Sequence, residues 1–200
     1  MIDEDFYNPA VLGFVMNVIP FNEASVKKQL VSVVQSLESD DRCYMCHQDY
    51  DDIPPLPGLA VKHIAGWKPT YDFRFGEAIR KAVCVLGTED DECEKYLFIV
   101  LDKYKPEWEP EVRKALNVDL KFGYNVQFYF CAIGDKCDLS LEKVVDFHPQ
   151  VTLNKLDGPD QIGKFILHQY KPIPNHVSLD IDILKVEFKE RYGRKKNKKS

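Results

Sequence analysis

Three apolar runs restrict the fold more than any other feature of this 200-residue chain. They cover residues 11–19 (Val-Leu-Gly-Phe-Val-Met-Asn-Val-Ile), 96–101 (Tyr-Leu-Phe-Ile-Val-Leu) and 126–133 (Val-Gln-Phe-Tyr-Phe-Cys-Ala-Ile). Each is too short for the roughly 20 apolar residues of a membrane-spanning helix. Each is also nearly continuous, with no polar residue at every second place, which is the pattern of a strand covered on both faces. Between them lie segments with apolar residues at helical spacing. Val26, Leu30, Val33, Val34 and Leu37 form one face, with Asn22 as its expected cap; Phe75, Ile79, Ala82, Val83 and Leu86 form a second, with Gly87 as its expected stop.

Further elements follow the same alternation. Residues 42–48 and 61–64 read as short strands, residues 110–116 and 141–147 as helices, and residues 151–153 as a last strand before a helix signalled by Asp157, Pro159, Ile162, Phe165 and Ile166. The proline-rich residues 53–58 are expected to be irregular, because proline cannot donate to a ladder. Strands joined by crossovers of helical length give an α/β fold of three layers, a mostly parallel central sheet with helices on both faces. Asp102 directly follows the clearest strand, and ligands of open parallel sheets gather at the carboxyl ends of strands.

A composition of 44% hydrophobic and 12% aromatic residues supports one sizeable core and argues against disorder. The acidic start, Ile2-Asp3-Glu4-Asp5, is unlike the basic then apolar start of a signal peptide, so a cytoplasmic protein is expected. Charge is unevenly placed. Seven basic residues and one acid lie between Lys189 and Ser200, which leaves a net charge of −11 on residues 1–188 out of a total of −5. Such an acidic body favours a protein as its partner. The tail residues Arg191, Arg194, Lys195, Lys196, Lys198 and Lys199 admit nucleic-acid phosphates or an acidic surface as an alternative.

The order of elements and the contents of their loops resemble the von Willebrand factor A (vWA) domain over roughly residues 11–170. In that family the first strand ends in Asp-x-Ser-x-Ser, a later loop gives a Thr, and the central strand runs into a second Asp. Together these hold a divalent cation in the metal-ion-dependent adhesion site, to which a partner adds a carboxylate. Here the first motif reads Asn17-Val18-Ile19-Pro20-Phe21, so Asn17 replaces the Asp, and Ile19 and Phe21 replace the two Ser. Thr70, in Lys68-Pro69-Thr70-Tyr71-Asp72, matches the loop Thr, and Asp102 before Lys103 matches the second Asp. The loss of one carboxylate and two hydroxyls removes most oxygen ligands of a hard cation such as Mg²⁺. Were one held, its ligands would come from Asn17, Thr70 and Asp102. The resemblance therefore implies a metal-free interaction module, a vWA-like domain over residues 1–171 with an extension over 172–200. Its expected contact rim comprises Asn17, Phe21, Thr70, Asp72, Asp102 and Lys103. In the extension, alternating Val177, Leu179, Ile181 and Ile183 suit an edge strand or an arm that reaches a partner.

Other motifs read as structural. Cys43-Tyr44-Met45-Cys46-His47 has the form of a c-type haem attachment, and Cys43 with Cys46 has zinc-ligand spacing, but the segment falls on an expected strand and lacks a second Cys-x-x-Cys. Asp49, Asp51 and Asp52 read as a solvated loop. No cofactor is expected. Neither a nucleophile elbow nor a phosphate-binding glycine run occurs, and His47, His63, His148, His168 and His176 are scattered, so an enzyme is not expected. A hydrolase on a related sheet, with Asp102 at its active end, is the alternative in that class.

Overall fold

The computed structural model describes residues 8–46, 57–68, 74–134 and 139–170. Within them lies a five-stranded sheet of order β2-β1-β3-β4-β5, in which every pairing is parallel. The strands are β1 (Ala10–Asn17), β2 (Arg42–Met45), β3 (Glu94–Leu101), β4 (Gln127–Ile133) and β5 (Val151–Leu156). The helices are α1 (Pro20–Gln35), α2 (Pro57–Gly66), α3 (Phe75–Gly87), α4 (Glu109–Phe122) and α5 (Ile162–Tyr170). The expected three-layer α/β architecture is thus observed.

The apolar runs explain the layers directly. Seven consecutive residues are buried in β1 and seven in β3. Side chains alternate between faces along a strand, so each run feeds two cores. On one face Val11, Val15, Leu97, Ile99, Leu101, Phe128, Phe130 and Ala132 pack with Phe75, Ile79, Val83 and Leu86 of α3 and Val112 and Leu116 of α4. On the other, Leu12, Phe14, Met16, Phe98, Val100, Cys131 and Ile133 pack with Val26, Leu30 and Val33 of α1, Ala60 and Ile64 of α2, and Ile162 and Ile166 of α5.

Several local expectations are corrected. Residues 61–64 lie inside α2 rather than in a strand. Their apolar residues resemble a buried strand at short range, and the helix opens on Pro57, whose fixed φ suits a first helical turn. Helix α1 likewise starts at Pro20 with Ile19 as its N-cap, which places Asn22 inside the helix and not at its cap. Gly87 does not stop α3, because the cap is Thr88 in a right-handed conformation. Its small size serves close packing instead, since a Cβ there would lie 2.5 Å from the Tyr124 ring. Residues Leu139–Phe147 form a 3₁₀ helix, and β2 stops at Met45. The segments holding Thr70 and Asp72, the acidic residues Asp49, Asp51 and Asp52, the histidines His47 and His176, Cys137, and the extension with its tail lie outside the described residues.

The amino ends of the strands are tied by buried carboxylates. Asp41, 5% exposed, accepts the Ala10 N–H at the start of β1 and the hydroxyl of Tyr170 at the end of α5. Glu89 accepts from Arg42 and from the Tyr44 hydroxyl on β2. Asp119 accepts the Val126 N–H at 3.0 Å and faces His148 Nε2 at 3.0 Å, while His148 Nδ1 accepts the Gln150 N–H. With Nδ1 accepting, the proton sits on Nε2 and is donated to Asp119, so this His–Asp pair is fully used inside the core. Cys43 and Cys46 pack in opposite layers of the sheet and so do not converge on one ion. No helix among the described residues is long and apolar enough to cross a membrane.

Two measurements check this packing. Gly76 lies against α4, where a Cβ would come within 2.7 Å of the Glu111 carbonyl carbon, so Gly76→Ala is expected to destabilise the fold by about 1–3 kcal/mol in urea unfolding. Burial pushes the Cys46 thiol up to about 12 and raises those of Cys43 and Cys131 as well. A raised value means less thiolate at pH 8, so among the described cysteines iodoacetamide followed by mass spectrometry is expected to label the half-buried Cys84 and Cys93 first. Cys43, Cys46 and Cys131 react only once urea unfolds the chain.

Candidate functional site

The strand order reverses direction at β1, which lies between β2 and β3. In open parallel sheets of this order the ligand crevice opens at the carboxyl ends of the two strands where the connections part to opposite faces, here β1 and β3. Their pairing runs in register from Ala10 opposite Glu94 to Asn17 opposite Leu101. Asn17 therefore ends β1 level with the end of β3, and Asp102 emerges one step beyond, its N–H donating to the Asn17 carbonyl at 3.4 Å.

Asp102 is 6% exposed, and its carboxylate is engaged within the chain. Oδ2 accepts the Ile19 backbone N–H at 2.9 Å and the Asn22 Nδ2 donor at 2.9 Å. Both come from the start of α1, where the first N–H groups lack helical partners and favour negative charge. The carboxylate thus pins the loop between β1 and α1 to the end of β3. Sequence reading found Asp102 but missed Asn22 as its partner. Nothing local signals a contact between residues 80 positions apart in the chain.

The rest of the rim is uneven. Phe21 is 89% exposed and Ile19 43% exposed, while Lys103 is exposed and Asn17 half-buried. The Asn17 Nδ2 atom is buried without a hydrogen-bond partner among the described residues. Strand alternation puts Asn17 on the same face as Val11 and Val15, towards α3, whereas Asp102 turns towards α1. Below Phe21, Glu23 pairs with Lys27 at 2.6 Å and Lys68 at 3.7 Å, and the Lys27 ammonium also donates to the Ala65 carbonyl. Past Lys103, Tyr104 packs edge-on against Phe75, and burial pushes its hydroxyl up to about 12.

Of the residues expected to share this site, Asn17, Phe21, Asp102 and Lys103 do gather at one end of the sheet. Thr70 and Asp72 fall outside the described residues. The described donors do not fit a hard cation. They offer a single carboxylate whose Oδ2 faces two N–H donors, flanked by apolar Ile19 and Phe21. Among the described residues, no three His, Cys, Asp or Glu side chains are grouped to hold a metal ion.

The geometry predicts a cost for breaking this anchor. Asp102→Ala leaves the Ile19 N–H and the Asn22 amide without their acceptor and is expected to lower stability by about 1–3 kcal/mol in urea unfolding. Asp102→Asn, which keeps an oxygen acceptor, is expected to lose less. A double-mutant cycle with Asn22→Ala checks the pairing through a non-additive loss.

Comparison with known proteins gives the fold a name. No family model and no curated protein matches the chain. Among solved structures, a von Willebrand factor type A protein from Catenulispora acidiphila is similar, with a TM-score of 0.64 at 11% identity over 81% of this chain and 42% of that one. The pilus adhesin SpaC from Lactobacillus rhamnosus GG gives a TM-score of 0.61 at 10% identity, over 82% of this chain and 30% of its own. The SpRpn10 VWA domain gives 0.58 at 12% identity, over 83% of this chain and 96% of its own. This chain therefore spans less than half the length of the first two, and the likeness at these identities concerns the backbone. Sheet order, layers and these neighbours together make the chain a domain of von Willebrand factor A-like fold.

Proposed function

We propose that this domain is a non-catalytic protein-interaction module that binds without a metal ion, through the rim formed by Asn17, Phe21, Asp102 and Lys103. Folds of the vWA type commonly mediate protein–protein interaction, and this rim lies at their usual ligand-facing end. The observation that carries the metal-free part is the Asp102 carboxylate, whose Oδ2 accepts from both Ile19 and Asn22 inside the chain. A contact surface is supported by Phe21, whose ring stands 89% exposed beside that anchor. An aromatic side chain costs little conformational entropy to fix and offers a large apolar area to a partner. By the sequence resemblance, Thr70, Asp72 and the extension over 172–200 are further proposed contacts. Two of the similar structures fit this reading by their names, one a pilus adhesin and the other a VWA domain of SpRpn10.

Titration of the full chain against its native partner tests the proposal. Affinity is expected to stay within a few-fold in EDTA and in millimolar Mg²⁺. Phe21→Ala is expected to weaken binding by about 10–100-fold, the range of a buried aromatic anchor, with the urea midpoint unchanged. A large Mg²⁺ dependence overturns the metal-free reading, and an unaffected Phe21→Ala variant removes this rim as the contact surface.

A further inference from the structure

We propose that the turn closing α4 is a homodimer contact, in which the rings of Phe122 and Tyr124 meet the same rings of a second copy and Lys121 of each copy faces Asp90 and Glu92 of the other. This surface lies at the amino ends of the strands, away from Asp102, and goes beyond the binding rim proposed above. Helix α4 buries Val112, Ala115, Leu116 and Asp119, yet its last turn leaves Leu120 52% and Phe122 57% exposed. Large apolar side chains gathered at a surface mark interaction sites. The Phe122 ring stacks on Tyr124, with centroids 5.5 Å apart and planes 14° apart. Tyr124 in turn lies on Gly87 at the end of α3, where a Cβ would come within 2.5 Å of the ring. Gly123, at a φ of 68°, supplies the left-handed step that turns the chain between the two rings.

The charges around the rings select the occupant. Glu111 and Phe122 stand about three helical turns apart and so share one flank of α4, the flank that meets Gly76 of α3 through Glu111. Past Gly87 on that side comes the loop with exposed Asp90, Asp91 and Glu92. Lys121 is turned about 100° from Phe122, away from the buried side of the helix, and its ammonium sits 5.1 Å from the Phe122 ring centre. An apolar centre is thus bordered by a cation on one side and by acids on the other. Glu89 pairs with Arg42 and Asp91 with Lys95, whereas Asp90, Glu92 and Lys121 have no ion pair among the described residues. A two-fold axis through the rings sets each border against its opposite, twice over, which is the self-complementarity of an isologous contact. An anionic lipid surface would be repelled by the three acids. The basic tail could offer them cations, but between Lys189 and Ser200 it has one aromatic residue, Tyr192, to set against the rings. A contact made by so few side chains gives a weak dimer, populated as concentration rises.

Sedimentation velocity of the full chain at rising concentration tests this. The parent chain is expected to show a monomer–dimer equilibrium, which Phe122→Ser and Lys121→Glu each weaken about tenfold or more. Lys121→Glu combined with Asp90→Lys and Glu92→Lys is expected to restore the dimer to within a few-fold, because the reversed charges again face opposite ones across the axis. Phe21→Ser, at the other end of the sheet, is expected to leave the dimer unchanged, so this surface and the proposed binding rim stand or fall separately. Circular dichroism and urea midpoints equal to the parent chain confirm that each variant is folded, and the surface change Lys121→Glu keeps the test if Phe122→Ser does not fold. A parent chain that stays monomeric, a dimer that persists in Phe122→Ser or is lost in Phe21→Ser, or a triple variant that is not restored overturns the contact. Association lost with Asp90→Lys and Glu92→Lys yet untouched by Lys121→Glu assigns those acids to the cations of the tail and overturns it as well.

Discussion

The parallel pairing of β1 with β3 is the constraint on which the rest of this structure depends. Eight residues on each strand are matched, and nearly all are buried on both faces. Such a pair cannot stand alone, because each strand offers apolar side chains to two sides at once and needs a helix layer on each. The same register settles where the strands end. Asn17 stops level with Leu101, so the loop entering α1 and the loop leaving β3 begin side by side. A slip of one residue would turn every side chain of β1 to the wrong layer, which is why this geometry is held so firmly.

The two ends of the sheet use buried carboxylates differently. At the amino ends Asp41, Glu89 and Asp119 each join elements far apart in the chain, and their partners are backbone N–H groups, hydroxyls, a guanidinium and a histidine. At the carboxyl end, among the described residues, Asp102 does this work, and what it pins is a loop that leaves Ile19 and Phe21 in solvent. A buried carboxylate satisfied by N–H donors stabilises its surroundings, whereas an exposed aromatic ring does nothing for the fold. That contrast is what separates the anchor from the surface it carries, and it makes Phe21 the natural residue to change when binding is to be tested apart from folding.

Likeness of backbone at about one residue in ten identical carries the architecture and leaves the chemistry of the site to this chain's own residues. Here that chemistry is an inward-turned carboxylate on Asp102 and, at the same end of the sheet, the exposed Phe21 and Lys103. A grip that depends on Phe21 and Lys103 would be insensitive to chelators and sensitive to salt only through its charged half. The proposed function rests on those features together.

The sequence by itself determined the layered α/β fold, because apolar runs such as residues 96–101 cannot be covered any other way, and it singled out Asp102 by its place at a strand end. It also expected Phe21 and Lys103 near Asp102, and both lie at that end of the sheet. It misplaced short elements where local apolar residues fit two periods, as at residues 61–64, and where proline rather than Asn22 started a helix. Only the tertiary structure decided what Asp102 bonds, since Asn22 and the Ile19 N–H reach it across 80 and 83 positions. The physical reason is one of range. Burial on two faces is written in consecutive residues and survives without neighbours, while a hydrogen bond between distant residues exists only once the strands that carry them have paired.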